Sequence, residues 1–231
     1  MQATEIMTRD VIAVQPDTEV KSIVELMLQH RISAVPVVDD THQVLGMVSE
    51  GDLMRRVENK TERRDSWWLK ALFTASNDAA AYVESHGAKA ADIMTRDVHT
   101  ISEDTPLYKI AQTLEEKRIK RVPVVRDGKL VGIVSRSNLL QGFSVAHTAE
   151  GMAGTADDKT IRERILKELK DKAGISRVSI NVVVHNGHVT LWGLVQDASE
   201  KKAVGVAAES IAGMGNVTNH LGIAPPVIGP Y

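Results

Sequence analysis

Met7-Thr8-Arg9-Asp10-Val11 recurs letter for letter as Met94-Thr95-Arg96-Asp97-Val98, an offset of 87 positions. The correspondence continues. Asp17-Thr18 falls on Asp104-Thr105, and Val35-Pro36-Val37-Val38 falls on Val122-Pro123-Val124-Val125, at the same offset. Gly46-Met47-Val48-Ser49 then meets Gly132-Ile133-Val134-Ser135 at an offset of 86. One residue lost in a turn is what a duplicated folded unit tolerates. Repetition on this scale decides the architecture before local propensity does.

Each copy reads as βαββα. Val11 to Val14 is a short apolar strand, and Asp17 or Thr18 is placed to cap the helix that follows. Val20, Ile23, Val24 and Met27 share one helical face, as do Leu107, Ile110, Ala111 and Leu114 in the second copy. Val35 to Val38 and Val44 to Val48 are strands around a turn at 39–43. The second copy shortens that turn to Arg126-Asp127-Gly128-Lys129, a hairpin signal. Ser49 and Ser135 open a further helix, with Asp52 and Asn138 three residues on. A copy of roughly 50 residues buries too little surface to be stable alone. The two copies should therefore pack as a pseudo-twofold pair.

The chain has 231 residues, 43% hydrophobic and 25% charged, with a formal net charge of −2. That balance gives no basic excess for general nucleic-acid binding. The absence of cysteine excludes disulfides, thiolate metal sites and cysteine nucleophiles. No apolar run reaches about 18 residues, and Met1-Gln2-Ala3-Thr4-Glu5 does not read as an export signal, so the expected location is cytoplasmic. No phosphate-binding glycine loop, Gly-x-Ser-x-Gly elbow or nucleophile–base constellation occurs, and the chain reads as a non-enzyme requiring no cofactor. His185 and His188 flank a turn without cysteine or carboxylate nearby, which favours a surface turn over a metal site.

Ser49 and Ser135 present hydroxyls at helix N-termini, where unpaired N–H groups suit a polar or anionic ligand. Asp52 and Asn138 lie one turn along, suited to a ribose diol. The same Ser-x-x-Asp spacing also serves as a helix cap, and both readings stand at this point. The tandem pattern Val-Pro-Val-Val, turn, Gly-φ-φ-Ser-x-x-Asp/Asn (φ apolar) resembles the cystathionine-β-synthase (CBS) domain family, over about 1–58 and 90–146. The resemblance implies clefts that take AMP, ADP, ATP or S-adenosylmethionine as a regulatory ligand, and a homodimer formed through the pair. Carried over residue by residue, one site combines Ser135 and Asn138 with Val11 and Ile12, and with Lys120, Arg121, Val122 and Pro123. The other combines Ser49 and Asp52 with Val98 and His99, and with Ser33, Ala34, Val35 and Pro36. The first has two cations for phosphate but an Asn for the diol; the second has the Asp but no cation. Charge-assisted contacts are the stronger kind, so phosphorylated ligands should prefer the Lys120/Arg121 site. Lys120 and Arg121 also read as a solvated basic helix end after Glu115-Glu116-Lys117-Arg118.

Residues 59–89 form a helical linker carrying Trp67-Trp68-Leu69 and Leu72-Phe73, readable as packing or as a partner surface. Residues 147–156 are small and polar, a second linker. From 157 to 224 the order is αββαβ. Ile161, Ile165, Leu166 and Leu169 mark a helix, and Val178, Ile180, Val182 and Val184 alternate as a half-buried strand. Asn186-Gly187 makes a hairpin to Val189–Leu194. Ala198 to Ala212 is a helix stopped by Gly213, and Val217 to Leu221 is a last strand. Gly187-x-Val189-x-Leu191-x-Gly193 and Gly215-Asn216-Val217-x-Asn219 resemble the BON domain. That resemblance implies docking to phospholipid or a protein partner, or a small stabilising module. A tail follows at 225–231. The fold class expected is α+β: two βαββα units as a pair, plus a small αββαβ domain. The expected function is nucleotide sensing, with a scaffold whose clefts go unused as the alternative.

Overall fold

Each repeated pentapeptide folds onto the body of the other copy. The computed structural model describes residues 1–58, 89–148, 156–171 and 180–225. The expectations for the linker with Trp67 and Trp68, for residues 149–155, for Val178 and for the tail from 226 lie outside the described residues. The chain divides into two compact units. One comprises Met1–Val11, Thr100–Arg126 and Val131–Tyr231; the other comprises Ile12–His99 and Asp127–Leu130.

In the unit built on the first copy, helix α2 (Val20–His30) packs on the hairpin of β1 (Ala34–Val38) and β2 (Val44–Ser49), which runs into α3 (Glu50–Glu58). The second copy's leader, with the short helix α4 (Ala90–Ile93), joins the same core. Ala90 and Ile93 are buried with Val14, Val20, Ile23, Met27, Val35, Val37 and Val48. Thr95 and Met47 exchange backbone hydrogen bonds of 2.9 and 3.0 Å. Met94 lies over Gly46, where an added Cβ would stand 2.5 Å from its sulfur.

The other unit mirrors this. α1 (Ala3–Ile6) leads, β3 (Ile101–Ser102), β4 (Arg121–Arg126) and β5 (Lys129–Ser135) form a sheet in the order β3-β4-β5, and α5 (Leu107–Glu116) and α6 (Arg136–Thr148) complete the copy. Ala3, Ile6 and Met7 are buried among Ile110, Leu114, Val122, Val124, Val134 and Leu139. Thr8 and Ile133 exchange backbone bonds of 3.0 and 2.9 Å, and Met7 lies over Gly132 as Met94 lies over Gly46. The glycine of the Gly-φ-φ-Ser pattern therefore makes room for a methionine contributed by the opposite leader.

Two local expectations need correction. Val11 to Val14 is not a full strand: the Val11 amide donates to Arg9 O at 3.0 Å in a tight turn, and pairing begins only with Val14 against Val37. The equivalent in the second copy is the two-residue strand β3. Neither Asp17 nor Thr18 caps α2. Its cap is Glu19 without a side-chain bond, because Thr18 Oγ1 accepts from the Gln15 amide at 3.0 Å in the preceding turn.

The C-terminal region, in the same unit as Met1–Val11, carries α7 (Ala156–Asp171) and α8 (Ala198–Ala212) against β6 (Ile180–His185), β7 (His188–Val195) and β8 (Val217–Ile223). β6 pairs antiparallel with β7, and β7 parallel with β8. Ile165, Leu169, Val182, Leu191, Val204, Ala208 and Leu221 form its core. Both two-residue hairpin loops have two positive φ values: Asp127 52° and Gly128 77°, then Asn186 50° and Gly187 76°. That is the turn whose twist matches the flanking strands. β6 is not half-buried but buried along its whole length, because its second face meets α1 and α6.

Candidate functional site

In both units the strand that ends in serine delivers it to a helix start. Ser49 Oγ accepts from the Asp52 amide at 3.3 Å, and Asp52 Oδ2 accepts from the Ser49 amide at 2.9 Å. Ser135 and Asn138 repeat this, at 3.3 Å to the Ser135 Oγ and 2.8 Å to the Asn138 Oδ1. Each pair is a reciprocal capping box, which satisfies two of the donors a helix start leaves open. The capping reading is thus realised in the structure.

The residues before each Val-Pro strand meet the same helix starts. The Glu50 amide donates to Ser33 O, and the Arg136 amide donates to Lys120 O, both at 3.1 Å. One unit thereby gathers Lys120, Arg121, Ser135 and Asn138, with Val11 three residues beyond the Thr8–Ile133 bridge. Lys120 is exposed, Arg121 half-buried and Asn138 buried. The other unit gathers Ser33, Ala34, Ser49 and Asp52, with Val98 and His99 following the Thr95–Met47 bridge. Ile12 falls in this second unit, packed against its core. Val35 and Val122 are wholly buried, and Pro36 and Pro123 are buried too, so these side chains belong to the cores.

The two sites differ beyond the residues the sequence singled out. Thr95 Oγ1 donates to Asp52 Oδ1 at 3.0 Å, so both carboxylate oxygens already accept protein hydrogen bonds. The exact repetition of Met-Thr-Arg-Asp-Val was the signal that could have found Thr95. The first helical residue is Arg136 in one unit and Glu50 in the other, which widens the charge difference already carried by Lys120 and Arg121. The Arg136 side chain lines a separate hollow of about 330 Å³ with Ala111, Leu114, Glu115, Arg118 and Leu139.

Arg162 and Asn181 were missed altogether. The Arg162 guanidinium is buried and donates to Val182 O at 2.7 Å, Thr4 O at 2.9 Å and Met7 O at 2.8 Å. Burial pulls its pKa down to about 9; the charge of Arg9 adds to the depression, and Glu5 and Glu163 oppose it. It stays charged at neutral pH. Asn181 Nδ2 donates to Ile6 O at 3.1 Å and to Gln141 Oε1 at 2.7 Å.

His185 is not on a surface turn: it is buried at the end of β6, on the face that meets α1 and α6, and both ring nitrogens are without a hydrogen-bond partner. His188 Nε2 lies 2.8 Å from Thr218 Oγ1. Among the described residues no three potential metal ligands cluster, and no helix is long and apolar enough to cross a membrane.

The CBS domain family model matches residues 3–59 and 90–144, and the BON domain model matches residues 157–225. The chloroplastic CBS domain-containing protein CBSX1 of Arabidopsis thaliana is 34% identical over 149 residues, 59% of this chain and 61% of that protein. This chain thus spans about six-tenths of the length of that curated relative. Inosine-5'-monophosphate dehydrogenase of Methanocaldococcus jannaschii is 27% identical over 154 residues, but only 26% of its length is covered. The crystal structure of CBSX2 in complex with AMP is similar at a TM-score of 0.50 and 27% identity, covering 63% of this chain and 98% of that one.

Proposed function

We propose that this chain, a tandem CBS domain pair followed by a BON domain, is a non-catalytic regulatory protein that binds adenosine nucleotides. The observation that carries the reading is the gathering of Lys120, Arg121, Ser135 and Asn138 at one helix start, in a chain similar to AMP-bound CBSX2. The Lys120/Arg121 site takes the phosphorylated ligand, AMP, ADP or ATP. There the backbone ahead of β4 brings cations to the helix N-terminus, where an anion is favoured. Asn138 Nδ2 is left to donate to a ribose oxygen, since its Oδ1 serves the Ser135 cap. The Asp52 site, with Ser33, Ala34 and Glu50 around it, takes a less anionic adenosyl group or none.

Occupancy is passed on to the BON domain or to a dimer interface. Each unit exposes large apolar side chains on its helices, Leu28 and Met54 in one and Tyr108, Leu140 and Phe143 in the other, which supports a homodimer formed through the pair. The location we propose for it is the cytoplasm, a compartment that holds these nucleotides.

Thermal unfolding with AMP, ADP, ATP, NAD and S-adenosylmethionine tests the reading. Ligand at about 100 times its Kd should add about 2.7 kcal/mol, and the gain with ATP should fall in Lys120→Ala/Arg121→Ala protein. Stability unmoved by every adenosyl ligand would refute the proposal. A second reading, docking of the BON domain to phospholipid or a protein, is favoured by exposed Leu194, Met214 and Ile223. Co-sedimentation of the full chain with anionic vesicles tests it.

A further inference from the structure

The two leaders are identical over six residues, Ile6–Val11 and Ile93–Val98, yet their arginines end on different partners. Arg96 Nη2 donates to Ala91 O at 3.0 Å, folding back on its own leader helix. In the other unit the carbonyl at the equivalent place is Thr4 O, and it is taken by Arg162 of the BON domain at 2.9 Å. Arg9 turns instead to Thr4 Oγ1 at 3.3 Å and to Glu163 at 3.8 Å. Arg162 also holds Met7 O, and Asn181 holds Ile6 O, so the carbonyls at 4, 6 and 7 are all bound by one domain. Asn181 bonds in addition to Gln141 on α6, one turn beyond Asn138. The BON domain thus grips both elements that carry the Lys120/Arg121 site: the leader that ends in Val11 and the helix that begins after Ser135.

We propose that Arg162, seconded by Asn181, is a positioning residue for that nucleotide site, setting the leader from which Val11 faces the ligand. The inference rests on the nucleotide reading above and adds its regulation. A ligand that favours one placement of the leader strengthens or weakens the BON grip, and the grip changes ligand affinity by the same factor. The Asp52 site has its own leader, secured by Arg96, and is left out of this coupling.

The test is AMP titration by calorimetry on the full chain: wild type, Arg162→Met, Arg162→Lys, Arg96→Met, and Lys120→Ala/Arg121→Ala to assign the site. Hydrogen exchange of β7 and β8 checks that the BON domain is still folded. Arg162→Met should shift the Kd of the Lys120/Arg121 site at least fivefold, with faster exchange over residues 4–11. Arg96→Met should leave that site within twofold, and Arg162→Lys, which keeps the charge but not the planar fork, should fall between. In wild type, AMP should change exchange in β6. Should Arg162→Met lose the BON fold, Asn181→Leu carries the same expectation. AMP binding unchanged in the folded Arg162 and Asn181 variants would overturn the positioning role alone. Wild type that binds no AMP would overturn the nucleotide reading and this one with it.

Discussion

The two units share one body plan and one leader sequence, and they differ in what surrounds the leader. In the unit of Ile12–His99 the leader arginine is exposed and bonds within its own segment. In the other, the leader is sandwiched, with the second copy's core beneath it and β6 and α7 above. The comparison teaches that duplication need not leave two equivalent sites. A third domain appended to one end covers the outer face of one leader, where Thr8, Arg9 and Asp10 are half-buried, while Thr95, Arg96 and Asp97 of its twin stay exposed.

The largest test of that difference is a pair of equivalent substitutions. Arg162→Met leaves the carbonyls of Thr4, Met7 and Val182 without this donor. A hydrogen bond from a charged group contributes about 1.5–3 kcal/mol, and the loss of these bonds should appear as earlier unfolding of the BON region. Arg96→Met removes one exposed bond and should cost well under about 1 kcal/mol. Thermal unfolding followed by hydrogen exchange would separate the two; equal losses would mean that the leaders are equivalent after all.

Next in size is a transplant of charge. Ser33→Lys/Ala34→Arg copies the Lys120/Arg121 pair into the Asp52 site, where the Ser33 carbonyl already meets the helix start as Lys120's does. If phosphate preference resides in these cations, the graft should improve AMP binding there by about 1.5–3 kcal/mol, the range for hydrogen bonds to charged groups. The gain should shrink at high salt. Calorimetry at two ionic strengths checks both. No gain would assign the preference to Asn138 against Asp52 instead.

A smaller contrast concerns the threonines of the pentapeptide. Thr95→Val removes a donor to Asp52 and should cost about 1 kcal/mol of stability. Among the described residues the Thr8 side chain makes no hydrogen bond, so Thr8→Val should be close to neutral. Asp52→Asn would reduce the Thr95 effect, a coupling that a double-mutant cycle by thermal unfolding measures directly.

How much of this could be read beforehand follows the range of each interaction. The repeat, the helical faces at Val20–Met27 and Leu107–Leu114, and the Asp127-Gly128 and Asn186-Gly187 turns are local or periodic, and the sequence displayed them. The exchange of leaders was hidden because Met-Thr-Arg-Asp-Val is the same in both copies and names no partner. Gly46 and Gly132 carried the only hint, as glycines within strands. Arg162 was hidden more deeply. In Ile161-Arg162-Glu163-Arg164 it looks like one solvated charge among several, and only tertiary packing distinguishes it. Asn181 likewise occupies the polar phase of an alternating strand, the phase that normally meets water. In both, a polar residue is buried by a domain distant in sequence, and periodicity cannot report that.

The smallest expected effect compares the two hairpin turns. In the second copy the two-residue turn holds Asp127 and Gly128 at positive φ. In the first, Asp39 Oδ1 accepts from the Thr41 hydroxyl at 2.7 Å and from the Thr41 and Gln43 amides, both at 2.9 Å. The Thr41 hydroxyl and then the Gln43 amide hold the Asp39 pKa below its ordinary 3.8, with the Thr41 amide and His42 adding smaller effects against desolvation. A carboxylate depressed in the folded state stabilises above its unfolded pKa, and the contribution is lost as pH falls through the folded value. The first hairpin should therefore loosen below about pH 4, while the second keeps its turn. Asp39→Ala should abolish that acid step at the cost of a small, pH-independent loss. Because these hydrogen bonds lie at the surface, the step should be visible in site-resolved exchange of 39–43 rather than in global stability. Loosening of Asp127-Gly128 over the same pH range would show that acid acts on both copies through some other group.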